Sequence, residues 1–409
     1  MTETVSHAPD DLTEFPMPRA ARCPFDPPEA LRARQTEATL SRVRIWDGNT
    51  PWLVTRHDQV RALLADPRVS SDVTRSGFPH ISPGSKAGSE VRRSFINMDD
   101  PEHSRMRRMV TAPFAIRKMQ ALRPEVQRIA DDLIDDLLAG PKPVDLVQAF
   151  ALPVPSLVIC ALLGVPYADH GLFQRHTKVL VRRSSAPEDV SAASAALTDY
   201  LDALLAEKQA HPEEDLLSDI ATRQVATGQL TRQQAARMGV LLLAAGHETT
   251  ANMIALGTLA LLRNPDQLDV LRAADDPKTV AAAVEELLRY LSIVHSGRRR
   301  VALEDITYAG VTIKAGDGIV LAGETANRDP EVFPDPDRLD LGRDARRHVA
   351  FGFGVHQCLG QPLARMELQV VYSTLYRRVP TLALATDIER LEFKHDGAIF
   401  GVYELPVTW

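Results

Sequence analysis

The chain has 409 residues, of which 44% are hydrophobic and 25% are charged, and its formal net charge is −7. This is the composition of an ordinary globular protein, and the acidic balance argues against general nucleic-acid binding, which favours a basic surface. The three cysteines, Cys23, Cys160 and Cys358, have no C-x-x-C spacing. That spacing argues against a zinc site or a disulfide framework.

The N-terminal segment, residues 1–30, contains several prolines and little periodicity, and we expect it to be irregular. It has no basic n-region followed by an apolar h-region, so it does not resemble a signal peptide. No stretch of the chain approaches the ~18 consecutive apolar residues of a membrane span. We therefore expect a cytoplasmic protein with no membrane partner.

Residues 41–56 predict a β-hairpin around Asp47-Gly48-Asn49. Residues 70–97 are rich in Ser, Gly and Pro and predict a long loop, which in a compact domain is usually functional. The segments with helical patterns are 57–65, 101–140 with breaks, 167–210 as two helices, 230–263, 285–290 and 359–378. Short strands are predicted in 299–322 and 380–409. The fold class is therefore mainly α with small β-sheets, as a single domain over residues 1–409.

The decapeptide FGFGVHQCLG, residues 351–360, places Cys358 in a glycine-rich loop. A thiolate that binds iron needs an apolar wall, backbone N–H groups near sulfur and room for a flat cofactor. Glycines allow that close approach. The alternative is a structural cysteine buried in a turn.

The long helix predicted over 230–263 carries Ala-Gly-His-Glu-Thr-Thr, residues 245–250, at its middle. A glycine there costs roughly 1 kcal/mol relative to alanine, and two adjacent threonines are also poor helix formers. A locally unfavourable run in an apolar helix indicates a site. The alternative is that Thr249 bonds back to the carbonyl four residues earlier, with Glu248 on a solvated face.

Together, Phe-x-x-Gly-x-x-x-Cys-x-Gly at 351–360 and Ala-Gly-x-Glu-Thr at 245–249 resemble the cytochromes P-450, the haem-thiolate monooxygenases. The segments ANRDPEVFPDPDRLDL and ELPVTW are similar to the actinobacterial branch, which hydroxylates macrolides, statins, sterol-like compounds and foreign drugs. The resemblance covers nearly the whole chain. It implies the cytochrome P-450 fold, with haem between the long oxygen-binding helix and the helix that follows the Cys loop.

The resemblance implies haem b as cofactor, with Cys358 as the axial thiolate ligand of the iron. The other residues that it places at the cofactor are His103, Arg107, Ala245, Arg300, Phe351, Gly352, His356 and Gly360. Because Arg298, Arg299 and Arg300 are consecutive, a shift by one residue stays open for the strand arginine. A solvated basic surface is the alternative for the cationic positions.

The resemblance also assigns catalytic and structural roles. Gly246 would make room for dioxygen and substrate, while Thr249 and Glu248 would control proton delivery during O–O cleavage. Glu286 and Arg289 have the i,i+3 spacing of a helical ion pair, and the family completes this pair with a further arginine. Arg338 is the candidate for that third position, and all three residues are expected to be structural.

The positions that line the family's substrate pocket are apolar in this chain. They are Phe78, Phe95, Ile96, Val179, Leu180, Leu242, Leu243, Ile293, Val294, Ile399 and Phe400. An apolar pocket with few fixed polar groups implies a bulky hydrophobic substrate and loose selectivity, because burial of apolar area is not directional.

Few residues follow Cys358, so we expect no fused reductase. Electrons from NAD(P)H would reach a monomeric enzyme through ferredoxin reductase and ferredoxin. The arginines expected to attract an acidic ferredoxin are Arg105, Arg108, Arg343, Arg346, Arg347 and Arg365. Two other functions stay open, a peroxide-driven haem-thiolate peroxygenase and a haem-binding sensor without turnover. The pair Glu248-Thr249 argues against both.

Overall fold

A computed structural model describes residues 12–19, 23–37, 40–89, 93–308 and 310–409. The predicted irregular N-terminal segment lies partly outside these residues, and its end is already helical, because the first helix starts at Glu29. The α-helices are α1 Glu29–Glu37, α2 His57–Ala65, α3 Pro83–Ala87, α4 Glu102–Thr111, α5 Ile116–Ala139, α6 Pro153–Leu163, α7 His170–Val181, α8 Pro187–Ala210, α9 Leu216–Ile220, α10 Arg232–Arg263, α11 Pro265–Arg272, α12 Pro277–Leu291, α13 Gly323–Ala326 and α14 Gln361–Arg378.

Within the described residues, the strands are short and form three small sheets. They are β1 Leu40–Arg42, β2 Trp52–Val54, β3 Val69–Ser70, β4 Val144–Asp145, β5 Arg298–Ala302, β6 Ile306–Tyr308, β7 Val311–Ile313, β8 Gly318–Leu321, β9 Ala383–Leu384 and β10 Pro406–Thr408. The largest sheet has the order β1-β2-β8-β5-β3, and a second sheet has the order β4-β10-β9. The pairing of β1 with β2 confirms the predicted hairpin. Helices dominate, which confirms the predicted fold class.

Helix α10 is the central element of the fold. It begins with a capping box, in which the Thr231 side chain accepts from the Gln234 N–H and Gln234 accepts from the Thr231 N–H. It ends at Asn264 because Pro265 cannot continue the helix. At ~1.5 Å per residue, the helix is about 48 Å long and crosses the molecule.

Two apolar clusters meet along α10 and position the site between them. The C-terminal half of α10 packs with α12 and α14 in one cluster, and its N-terminal half packs with α5, α6 and α8 in the other. Helix α14 follows the Cys loop and contacts α10 and α5. The middle of α10 is thereby held against the start of α14. Within the described residues, no helix has the length and apolarity needed to cross a membrane.

Candidate active site

A cavity of about 310 Å³ lies between the middle of α10 and the loop before α14. The sequence-predicted residues that line it are Phe95, Ile96, Arg107, Leu242, Ala245, Gly246, Thr249, Ile293, Val294, Phe351, His356, Cys358 and Gly360. The cavity therefore brings the two sequence motifs, which are about 100 residues apart in the chain, onto opposite walls of one space.

Cys358 lies deep in the protein, but its side chain is exposed because it faces this cavity. The loop is closed by a hydrogen bond from the Cys358 N–H to the Phe351 carbonyl, at 2.9 Å. Gly354 has φ +73°, and a Cβ there would lie 2.7 Å from the Leu64 carbonyl oxygen, so this turn requires glycine. Burial raises the pKa of the Cys358 thiol, while the Gly360 N–H and the charges of Arg298 and Arg107 oppose the increase.

Two arginines lie in the cavity wall close to the thiol. Arg107 Nη2 donates to the Gln357 carbonyl at 2.7 Å, and Arg298 Nη2 donates to the Ala350 carbonyl at 2.5 Å. Successive residues of a strand alternate between its two faces. Arg300 therefore points to the same side of β5 as Arg298, where its charge lowers the pKa of His356. Arg299 points to the other side and donates to Ser85 Oγ at 3.1 Å.

The rings of His103 and His356 lie together beside the cavity, with their centroids 4.1 Å apart. His103 Nδ1 is 3.3 Å from Asp100 Oδ1. Burial and the neighbouring Arg300 and His103 lower the pKa of His356 to about 3. His103 Nε2 and His356 Nδ1 are both buried and have no hydrogen-bond partner among the described residues. A buried polar atom of this kind is costly unless a ligand satisfies it.

These residues fit a haem. The cavity presents one thiol for the metal, and Arg107, Arg298 and the two unpartnered histidine nitrogens suit the carboxylates at the cofactor's edge. No group of three or more His, Cys, Asp or Glu side chains within the described ranges could hold a bare metal ion. A metal bound here would therefore take most of its ligands from an organic cofactor, as haem iron does.

The opposite wall is the middle of α10. Thr249 Oγ1 donates to the Ala245 carbonyl at 2.6 Å, four residues earlier, as in the alternative considered from the sequence. Thr249 nevertheless lines the cavity, and its hydroxyl oxygen keeps its capacity to accept a hydrogen bond. Thr249 therefore has its proton directed to the helix backbone and its lone pairs available to a bound molecule.

Glu248 is not on a solvated face, contrary to that alternative. Its Oε1 accepts from Lys394 Nζ and from Asn252 Nδ2, both at 3.0 Å. Burial favours the neutral form and is the largest single effect, but the charge of Lys394 and the hydrogen bonds from Lys394 and Asn252 together outweigh it, so the pKa of Glu248 is lowered. Lys394 comes from the C-terminal segment, and the sequence analysis did not identify it because nothing local connects two residues so far apart in the chain.

Gly246 allows α10 and α6 to approach closely. A Cβ at this position would lie 2.7 Å from Ile159 Cγ1, and Ile159 also lines the cavity. His247 points away from the cavity, donates from Nδ1 to the Leu243 carbonyl at 2.8 Å and lies 3.2 Å from Thr177 Oγ1. It therefore links α10 to α7.

The prediction that Arg338 completes the buried ion pair is wrong. Arg289 donates to both oxygens of Glu286, at 2.7 and 2.8 Å, and the third guanidinium is that of Arg343, whose Nε lies 3.2 Å from Glu286 Oε1. Arg338 is exposed and contributes only its backbone carbonyl to this cluster. The turn at 340–343 directs the later arginine inward, which spacing alone did not reveal.

A second ion-pair cluster lies beside the Cys loop. Arg365 of α14 makes a bidentate contact with Glu285 of α12, at 2.6 and 2.9 Å, and His348 Nε2 lies 3.1 Å from the same carboxylate. Burial opposes ionisation of Glu285, but the hydrogen bonds from His348 and Arg365 outweigh it and lower its pKa to about 2. The pair fixes α14 to α12 immediately after Cys358.

Four residues predicted for the substrate pocket lie outside the walls of the cavities described here: Val179, Leu243, Ile399 and Phe400. Leu243 is fully buried and faces the core cluster, because the cavity side of α10 is set by Leu242, Ala245 and Thr249. Phe400 is fully buried and stacks on Phe393. Phe78 and Leu180 line a neighbouring cavity. Gly352 lies behind the wall, beside Arg298.

The comparisons with known proteins cover nearly the whole chain. The family model for Cytochrome P450 matches residues 177–383. Cytochrome P450 GfsF of Streptomyces halstedii is 57% identical and covers 98% of this chain and 97% of that protein. Cytochrome P450-SU2 of Streptomyces griseolus is 54% identical over the full length of both.

Comparison with solved structures gives the same family as the sequence relatives. The crystal structure of GfsF superposes with a TM-score of 0.91 and covers 97% of this chain and all of that one. The mycinamicin VIII C21 methyl hydroxylase MycCI from Micromonospora griseorubida, solved with mycinamicin VIII bound, has a TM-score of 0.92 at 42% identity, with 97% and 100% coverage. These similarities confirm the predicted fold and cofactor. The chain therefore belongs to the cytochrome P450 family, the haem-thiolate oxidoreductases that incorporate oxygen from O₂.

Proposed function

We propose that this protein is a monooxygenase that inserts one atom of O₂ into a bulky hydrophobic small molecule, with Cys358 as the axial ligand of haem b. The observation that carries the proposal is the single thiol facing a largely apolar cavity whose opposite wall is Ala245 and Thr249 of α10. The relative that hydroxylates a methyl group of mycinamicin VIII supports hydroxylation as the reaction.

When bound, the haem supplies the activation of O₂, and a thiolate ligand favours O–O cleavage. The protein's own residues provide binding, orientation and exclusion of water. Arg107, Arg298, Arg300, His103 and His356 bind the cofactor's carboxylates. The apolar wall around Phe95, Leu242, Ile293 and Val294 holds the substrate by burial of apolar surface.

Proton delivery is assigned to Thr249 and Glu248. Thr249 Oγ1 accepts a hydrogen bond from a molecule in the cavity, and its proton stays directed to the Ala245 carbonyl. Glu248 is held in its ionised form by Lys394, just outside the cavity. In Thr249→Ala we expect substrate binding to be retained, while more of the consumed electrons end as hydrogen peroxide. Full coupling of electron consumption to product in this variant would contradict the role.

Electrons reach this enzyme from NAD(P)H through a ferredoxin reductase and a ferredoxin, with the enzyme as a cytoplasmic monomer. The proposed docking set is smaller than the sequence suggested, because Arg343 and Arg365 are held in buried or partly buried ion pairs with Glu286 and Glu285. Arg346 is also paired, with Asp344 at 2.7 Å, but that pair is exposed. Arg108, Arg346 and Arg347 are exposed. Neutralising Arg346 and Arg347 together should slow reduction by ferredoxin and weaken its dependence on salt. Unchanged kinetics would remove the docking proposal.

The experiment that tests the central proposal is the absorption spectrum of the purified, reduced protein under carbon monoxide. Wild type should show the strongly red-shifted band of a thiolate-ligated haem, and Cys358→Ser should lose it. Cys23→Ser, at a half-buried cysteine away from the cavity, is the matched control and should keep the band. A band that survives in Cys358→Ser would overturn the assignment of the ligand.

Three assays then separate the reaction classes. Product that depends on NAD(P)H and the electron-transfer proteins supports the monooxygenase. Product formed equally well from hydrogen peroxide alone would favour a peroxygenase. Ligand binding with no product under either condition would favour a sensor.

A further inference from the structure

A second cavity of about 250 Å³ adjoins the first one. It is enclosed by the first half of α10, the facing side of α8, the end of α7 and the loop around α3. Ile96 and Leu241 line both cavities, so the two spaces share a wall at these side chains. Unlike the first cavity, it contains neither the thiol nor any residue of the Cys loop.

One face of α10 runs through both cavities. Arg237, Leu241, Ala245 and Thr249 follow one another at intervals of four residues and therefore lie on the same side of the helix. At ~1.5 Å per residue, Arg237 lies about 12 Å along the helix from Ala245. Both cavities therefore lie along one side of the helix, and a substrate that occupies both has to displace the side chains of Ile96 and Leu241 between them.

The described part of the second cavity's wall is positively charged. Arg237 and Arg299 both line it, and no carboxylate is among the described residues of its wall. Arg299 is held by Ser85 Oγ at 3.1 Å. Within the described ranges Arg237 makes no hydrogen bond or ion pair, and Asp202 of α8 is paired with Arg232 at 2.9 Å.

The remaining polar groups of the cavity add no negative charge. His80 donates from its ring to the Val73 carbonyl at 3.1 Å, and burial lowers its pKa to about 4, so it is neutral at pH 7. Ser194 and Thr198 of α8 lie opposite α10. An arginine in such a partly desolvated space favours an oxyanion, which it binds by charge-assisted hydrogen bonds.

We propose that the second cavity is an anion subsite for the substrate, in which Arg237, about 12 Å along α10 from Ala245, binds a carboxylate. The inference rests on the proposed function and refines its substrate class. The substrate is an amphipathic carboxylic acid, with its apolar part in the first cavity and its acid group at Arg237. Selectivity then comes from one fixed charge at a set distance, and the apolar part is recognised only by size.

The test compares dodecanoate with 1-dodecanol, which have equal chain length but differ in charge. Dissociation constants are measured on the haem-loaded full chain from the change in haem absorption and, independently, by calorimetry. Wild type should bind dodecanoate at least about tenfold more tightly than the alcohol, because a hydrogen bond to a charged group is worth that much or more. The preference should decrease with salt.

Three variants locate the effect. Arg237→Gln should lose about tenfold in affinity for dodecanoate and leave the alcohol unchanged, whereas Arg237→Lys should keep most of the preference. Arg263→Gln removes the same charge from the exposed far end of the same helix, outside both cavities, and should behave as wild type.

Equal binding of acid and alcohol by wild type would overturn the proposal, as would an acid preference that survives in Arg237→Gln. Failure of every acid from decanoate to hexadecanoate to bind would overturn it as well. The carbon monoxide spectrum separates this result from failure of the proposed function. If wild type keeps the red-shifted band while the acid preference is absent, only the anion subsite fails.

Discussion

The two sides of the main cavity are built differently. Around Cys358, buried charges hold the backbone: Glu286 and Arg289 of α12 bind the segment 327–343, and Glu285 with Arg365 connects α12 to α14. On the substrate side, α6, α7 and α10 meet mainly through apolar side chains such as Ile159 and Leu242. Directional contacts fix the position of one sulfur atom, while non-directional contacts leave a wall that can repack around different molecules.

The largest expected effect is on the buried ion pair. Arg289→Gln removes the main ion-pair partner of the fully buried Glu286. We expect the free energy of unfolding to fall by about 3–5 kcal/mol, measured by urea denaturation followed by circular dichroism. Arg338→Gln is the control, because Arg338 is exposed. It should change the free energy of unfolding by less than about 0.5 kcal/mol. Equal losses of stability in Arg289→Gln and Arg338→Gln would show that the Glu286–Arg289 pair does not stabilise the protein.

The second effect depends on pH. The pKa of Glu285 is about 2, below its ordinary value of 4.5. Its ionisation therefore contributes stability that is fully present above pH 4.5 and is lost as the pH falls toward 2. The contribution at pH 7 is about 3 kcal/mol. Glu285→Gln should lose this amount at pH 7 and show a flatter decline in stability between pH 5 and 2.

Glu125 provides the control for that experiment. It pairs with Arg128 on an exposed helical surface, where such pairs contribute little. Glu125→Gln should leave the acid decline unchanged, and a decline equally steep in Glu285→Gln and wild type would contradict the role of Glu285.

A third experiment uses two variants to test which residue of α10 faces the core and which faces the cavity. Leu243 is fully buried in the core and Leu242 lines the cavity. Leu243→Ala should lower the free energy of unfolding by about 2–3 kcal/mol and leave ligand affinity unchanged. Leu242→Ala should change ligand affinity more than stability. Affinity lost only in Leu243→Ala would reverse the assignment of these two faces.

The smallest expected effect concerns Lys394. Lys394→Met removes the charge that lowers the pKa of Glu248, so this pKa should rise. The pH profile of coupling between electron consumption and product should then shift to higher pH. Lys394→Arg keeps the charge and should retain the wild-type profile. If the pH profile of coupling is the same in Lys394→Met as in wild type, the ion pair between Lys394 and Glu248 has no role in proton delivery.

The side that depends on local sequence was the easier one to predict. The Cys loop and the β1–β2 hairpin are set by residues adjacent in the chain, and the structure contains both of them. The errors and omissions involve contacts between distant segments. Arg343 replaces Arg338 because a turn reverses its direction, and the contact of Lys394 with Glu248 has no local signal.

The substrate side was harder for a related reason. Hydrophobicity marks Leu242 and Leu243 alike, and only the rotation of α10 about its axis distinguishes the residue that faces a ligand from the one that faces the core. The position of Arg237 on the same cavity-facing stripe has no apolar signal at all. The directions in which these residues face could be assigned only from the packed structure.

Strand β5 shows how one short segment can serve two tasks. Arg298 and Arg300 turn toward the Cys358 side and Arg299 turns toward the second cavity, because adjacent residues of a strand face opposite ways. A single-residue insertion or deletion just before Arg298 would exchange these directions. This part of the chain therefore tolerates changes of residue type better than changes of length, and its register decides how positive charge is divided between the two cavities.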